Sequence, residues 1–167
     1  LSISVEAIKE LRQLTGAGPR DCKVALEKSG GDVERACEDL KQKGLAVAQK
    51  KAERVTAQGI IETYIHTGRK VGAMVELNCE TDFVARTDQF MKLAHDIAMQ
   101  VAAMSPLYVS TQDIPEGAEI DPASACLMAQ AFIKDPGKTI DGLVKEAIAS
   151  LGENIRIRRF VRYEIGA

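Results

Sequence analysis

Residues 70–90 read KVGAMVELNCETDFVARTDQF, and the apolar period changes partway through the stretch. Val71, Ala73, Val75, Leu77 and Cys79 fall on one parity, Glu76 and Asn78 on the other. Alternation of that kind predicts a strand with one buried face. From Asp88 the spacing becomes helical, with Phe90, Leu93, Ala94, Ile97, Ala98 and Val101 on one side of a helix expected to end near Met104. Between the two lie Thr81, Asp82, Phe83 and Val84, which set a carboxylate beside an aromatic ring at the end of a rigid element. A ring placed there either staples its own helix to the core or serves as a wedge for another protein.

Working outward, residues 56–66 form a second β-like run, joined to residues 70–79 through His66-Thr67-Gly68-Arg69, a hairpin signal. A last strand is expected over 154–165, with Ile155, Ile157, Arg159, Val161, Tyr163 and Ile165 on one parity and Arg156, Arg158, Phe160, Arg162 and Glu164 on the other. Residues 123–134 and 140–151 read as helices separated by Asp135-Pro136-Gly137, and 105–122 as an irregular acidic surface excursion. Towards the N-terminus, residues 4–42 predict three short helices. Ser4 caps the first, Thr15-Gly16-Ala17-Gly18 breaks it, Pro19 opens the second, Gly30-Gly31 ends that one and Asp32 caps the third. Helices of about ten residues are marginal alone, so these must pack on one another. The fold class is therefore α+β: a three-helix module over 1–44, an Ala-, Gln- and Lys-rich linker with helical potential over 45–55, and over 56–167 a core in which helices pack on a small antiparallel sheet.

Composition narrows the function. The chain has 167 residues, 46% hydrophobic and 28% charged, as a globular protein should. No apolar run is long enough to span a membrane. Residues 1–55 hold 11 basic and 9 acidic groups and the remainder 11 and 15, so neither part has the basic excess of a protein that neutralises phosphates. Cys22, Cys37, Cys79 and Cys126 show no metal-ligand spacing and are expected as reduced thiols. The chain starts at Leu1 without methionine, compatible with removal of an organelle-targeting leader.

Four motifs, in order, carry a resemblance: 11–26 (LRQLTGAGPRDCKVAL), 75–90 (VELNCETDFVARTDQF), 132–136 (FIKDP) and 151–160 (LGENIRIRRF). Together they make the chain similar to the translation elongation factor Ts family over nearly its whole length. The resemblance implies a guanine-nucleotide exchange factor that binds elongation factor Tu carrying GDP, displaces magnesium and GDP, and lets GTP load. It implies no cofactor of its own, a ubiquitin-associated-like N-terminal module, and the short form with a single core, in which two copies pair through the C-terminal region. It places Thr81, Asp82, Phe83 and Val84 against the helices flanking the partner's magnesium site, and Lys23 and Lys51 against the nucleotide domain. Pro19-Arg20 stands where the family usually has two bulky apolar residues, which makes Arg20 part of a charge-adjusted contact. The compartment implied is the cytoplasm, or a mitochondrion or plastid after processing.

Against these stand plainer readings. Asp82 could cap a helix, Phe83 could be core, and Lys23 and Lys51 could be solvated. A nucleophilic Cys79 would need a histidine that nothing in the sequence brings near it. Two other functions compete. One is an RNA-binding module using Arg156, Arg158 and Arg162 on one strand face around Phe160. The other is a ubiquitin-binding adaptor built on the three helices, which leaves residues 81–84 unexplained.

Overall fold

A computed structural model describes residues 3–167 and divides the chain into two compact units. The first comprises the residues up to Glu53 together with Lys145–Gly152; the second comprises Arg54–Val144 and Glu153–Ala167.

In the first unit the capping residues read from sequence set the helix ends. The Ser4 hydroxyl accepts from the Ala7 N–H at 3.1 Å to start α1 (Val5–Thr15), which stops at Gly16 in a left-handed conformation, φ 67°. Pro19 opens α2 (Pro19–Lys28), and the Asp32 carboxylate accepts from the Arg35 N–H at 3.0 Å to start α3 (Val33–Lys51). Leu11, Cys22, Ala25, Leu26 and Ala36 form the buried centre, with Ile8, Val33 and Leu40 packed around them. α3 does not stop at ten residues. It runs unbroken through residues 45–51, the segment whose composition suggested a linker. Gly44 on α3 is where the end of a later helix, α7 (Ile140–Leu151), passes close: a Cβ on Gly44 would come within 3.1 Å of the Ala149 Cβ.

The second unit is the α+β core. β1 (Gln58–Ile65), β2 (Val71–Cys79) and β5 (Ile155–Glu164) form an antiparallel sheet in the order β1-β2-β5. On one face Ala73, Val75, Leu77 and Cys79 are buried beneath α5 (Asp88–Met104), whose Phe90, Leu93, Ala94, Ile97, Ala98 and Val101 are buried in turn. The helix bounds and stripe are those its spacing predicts.

Two expectations for this unit are corrected. β5 does not keep one parity. Leu77 pairs with Ile157 but Glu76 pairs with Arg159, so Arg158 is the extra residue of a bulge. Beyond it the faces exchange: Phe160 and Arg162 lie opposite Val75 and Ala73 on the inner parity, while Val161 and Tyr163 turn outward opposite Met74 and Gly72. Residues 123–134 are not a helix either. α6 (Pro122–Ala125) is one turn, a 3-10 turn covers Leu127–Ala129, and Ala131–Phe132 (β3) pairs with Asp135–Thr139 (β4). The buried Gln100 amide of α5 imposes that shape. Its nitrogen donates to the Gln130 side chain at 3.2 Å and the Ala131 carbonyl at 3.0 Å, and its oxygen accepts from the Ile133 N–H at 3.0 Å.

Lys134, within the FIKDP motif, reaches the buried Asp96 of α5 at 2.7 Å, and Lys92 reaches the same carboxylate at 2.6 Å. Burial alone would raise this carboxyl's pKa, but the two ammonium groups outweigh that and leave it lowered. The motif therefore has a structural use.

Candidate functional site

Thr81, Asp82, Phe83 and Val84 fold into a single turn. The Thr81 hydroxyl accepts from the Val84 N–H at 3.4 Å and starts α4 (Asp82–Ala85), one helical turn between β2 and α5. Thr81 is thus the cap, and Asp82 is the first residue inside the helix, ion-paired with Arg86 at 3.0 Å. Only Ala85 of this turn is buried. Phe83 is 81% exposed, so within this chain it is no core staple. The turn therefore presents an aromatic ring to solvent beside the Asp82 carboxylate.

The anchors come from the segment just before β5. The Glu153 carboxylate accepts from the Glu80 N–H at 3.1 Å, the Thr81 N–H at 2.9 Å and the Thr81 hydroxyl at 2.6 Å. In the other direction the Glu80 carboxylate accepts from the Asn154 N–H at 2.6 Å and sits 3.6 Å from the Arg54 guanidinium. The Asn154 amide donates to the Arg54 carbonyl at 2.8 Å. Sequence reasoning quoted Leu151–Phe160 only as a motif and missed this use of Glu153 and Asn154. The available signal was a Gly-Glu-Asn group directly before a strand.

Cys79 lies under the turn, fully buried, and its thiol donates to the Thr81 carbonyl at 3.1 Å. Burial first, and then the nearby Glu153 charge, push its pKa up to about 11. A thiol held protonated in this way is a packing group and no nucleophile. His95 and His66 are engaged elsewhere, with Glu62 and Tyr64 respectively.

Arg20 and Lys23 belong to the helical unit and lie exposed on α2, Lys23 beside Glu27 at 3.8 Å. Lys51 ends α3, and its ammonium donates to the Gly152 carbonyl beyond α7 at 2.5 Å. The strand arginines of the RNA-binding alternative do not share a face. Arg162 turns inward, donating to the Ala102 carbonyl at 2.9 Å, whereas Arg156 stands outward opposite Asn78. Among the described residues no helix is long and apolar enough to cross a membrane.

Comparison with known proteins places the chain in a family. Residues 21–120 match the family described as Elongation factor TS. The Elongation factor Ts of Carboxydothermus hydrogenoformans is 47% identical over 98% of this chain and 89% of its own length. Those of Syntrophomonas wolfei and Thermotoga neapolitana are each 46% identical, covering 98% and 99% of this chain and 91% and 98% of theirs. Each alignment extends over 194 positions, more than the 167 residues of this chain, so the relatives hold residues with no counterpart here.

Proposed function

Because the chain belongs to the elongation factor Ts family, we propose that it is a guanine-nucleotide exchange factor that binds elongation factor Tu carrying GDP, displaces magnesium and GDP, and leaves the partner free to load GTP. The observation that carries this reading is the exposed Phe83 beside Asp82 on an anchored turn. Covering such a ring contributes roughly 1.5–3 kcal/mol. If that burial is open only in the nucleotide-free partner, GDP binding weakens by about ten- to a hundredfold, and GDP weakens binding of this chain equally. Magnesium holds near-ideal octahedral geometry, so a small push on its ligands suffices to expel it. No covalent bond is made or broken, and the magnesium and nucleotide are the partner's. Arg20 and Lys23 would meet the partner's nucleotide domain, with Lys51 nearby. The compartment that fits is the one where translation runs, a bacterial-type cytoplasm.

The test is release of fluorescent GDP from a bacterial elongation factor Tu. The unmodified chain should accelerate release strongly, and Phe83→Ala should reduce that acceleration at least about tenfold while unfolding stays cooperative. An unaltered rate in Phe83→Ala would remove the wedge from the mechanism.

The chain would act as a pair. On the sheet face away from α5, Ile61 and Ile65 of β1, Met74 of β2 and Val161 and Tyr163 of β5 are exposed side by side. The Glu76–Arg159 pair, 2.7 Å apart, borders them. An apolar sheet face bordered by both charge signs suits a second copy of itself across a two-fold axis, sheet on sheet. Light scattering should give twice the 18.1 kDa chain mass. A monomer at micromolar concentration would refute the pairing.

A further inference from the structure

We propose that Glu153 is a positioning residue for nucleotide release: its carboxylate fixes the 80–84 turn so that Phe83 is presented in one orientation. The proposal rests on the exchange reading above and adds to it a residue 70 positions away from the wedge in sequence.

α4 is a single turn of four residues, too short to hold its own conformation. Its start depends on one hydroxyl. The Thr81 hydroxyl has a single proton, and that proton is committed to Glu153 Oε1 at 2.6 Å. Its lone pairs are thereby aimed at the Val84 N–H, which it accepts. A hydroxyl that donates to a carboxylate is polarised and becomes the better acceptor, so Glu153 strengthens the cap it does not itself touch. The other oxygen, Oε2, takes the N–H groups of both Glu80 and Thr81, fixing the direction in which the chain leaves β2. Two backbone donors and one hydroxyl on one carboxylate leave the turn little freedom to rotate.

β5 does not need this carboxylate to pair. Its ladder with β2 already runs from Val71 opposite Glu164 to Cys79 opposite Ile155. The Glu80–Asn154 contact closes the same junction independently, at 2.6 Å. What Glu153 adds falls on Glu80 and Thr81, and through Thr81 on Phe83 two residues further along. A wedge that wanders contributes less to the strained, nucleotide-expelling complex than to simple binding. Removing Glu153 should therefore lower the maximal rate of release more than it raises the concentration needed for half of that rate.

The experiment measures fluorescent GDP release from a bacterial elongation factor Tu across a range of concentrations of the full chain. It compares the unmodified protein, Glu153→Ala, Phe83→Ala and the double variant. Glu153→Ala should lower the maximal rate about tenfold in the unmodified background and less than about twofold in Phe83→Ala, since it acts through that ring. Equal factors in the two backgrounds would overturn the proposal while leaving the exchange reading intact. No acceleration by the unmodified chain would overturn both. Should Glu153→Ala fold poorly, Glu153→Gln keeps an oxygen for the two backbone donors and sets an amide against the Thr81 hydroxyl. It should give a smaller loss with the same dependence on Phe83, and additive losses would again refute positioning. The sequence contains no tryptophan, so Phe83→Trp places a unique fluorophore at the tip. Its anisotropy should fall when Glu153→Ala is added, and an unchanged value would overturn positioning by Glu153 whatever the exchange rate does.

Discussion

Two helix starts lie six residues apart, and they are nearly the same sentence with one word moved. Thr81-Asp82-Phe83-Val84 begins α4; Thr87-Asp88-Gln89-Phe90 begins α5. Each threonine is extended and accepts from the N–H three residues on, at 3.4 Å and 3.3 Å. Each is followed by an aspartate suited to the positive end of a helix. The phenylalanine stands second in the first helix and third in the second, and one helical step turns a side chain by about 100°. Phe90 is 0% exposed, packed at the head of the α5 stripe, whereas Phe83 is 81% exposed. In α4 the buried residue is Ala85, the fourth of the turn, while Val84 at the position matching Phe90 is half-buried. The same hydroxyl ends one helix and starts the next, for Thr87 also donates to the Val84 carbonyl at 2.8 Å. Two rings of one residue type, one position apart relative to their caps, thus take opposite places: one is buried in the core and the other stands exposed.

The strongest way to break the comparison is to truncate both rings and measure unfolding in denaturant. Phe90→Ala removes a fully buried ring and should cost about 3–5 kcal/mol. Phe83→Ala removes an exposed one and should change stability by no more than about 0.5 kcal/mol. Similar losses at the two positions would mean Phe83 packs on its own chain, and the wedge would then lack its premise.

The strength of these local rules explains why so much was legible. The alternation over 71–79 and the 3.6-residue spacing from Asp88 each bury one face, so pattern and packing agree. Phe83 could be singled out because it falls between the two patterns and belongs to neither. The outer half of β5 was misread because an alternation argument has no way to see an extra residue: one bulge at Arg158 exchanges every face beyond it. Residues 123–134 have good helix formers, yet Gln100 on α5 binds their backbone from outside, and tertiary hydrogen bonds override the propensity. Glu153 was invisible for a similar reason. Nothing local marks an acid that will find Thr81 only after β5 has come to lie beside β2.

A finer probe of the first helix start comes from the thiol beneath it. Cys79 can react only when the turn lifts, because it is fully buried and its thiol points at the Thr81 carbonyl. Its pKa of about 11 leaves about a thousandth of it as thiolate at pH 8 even where a reagent can reach. Cys22 and Cys126 are also buried with raised pKa values, while Cys37 on α3 is half-buried. Alkylation of the native protein, followed by mass spectrometry, should modify Cys37 first and Cys79 far more slowly. The Cys79 rate should climb about tenfold for each pH unit towards 11, as the thiolate fraction does. Glu153→Ala should quicken it on two counts, by freeing the turn and by removing a negative charge that opposes the thiolate. The second helix start has no such dependence, since Phe90 and the α5 stripe hold it. If Cys79 reacted as fast as Cys37 at pH 8, the first turn would be as loose as its four residues suggest, and Phe83 would have no fixed platform from which to press.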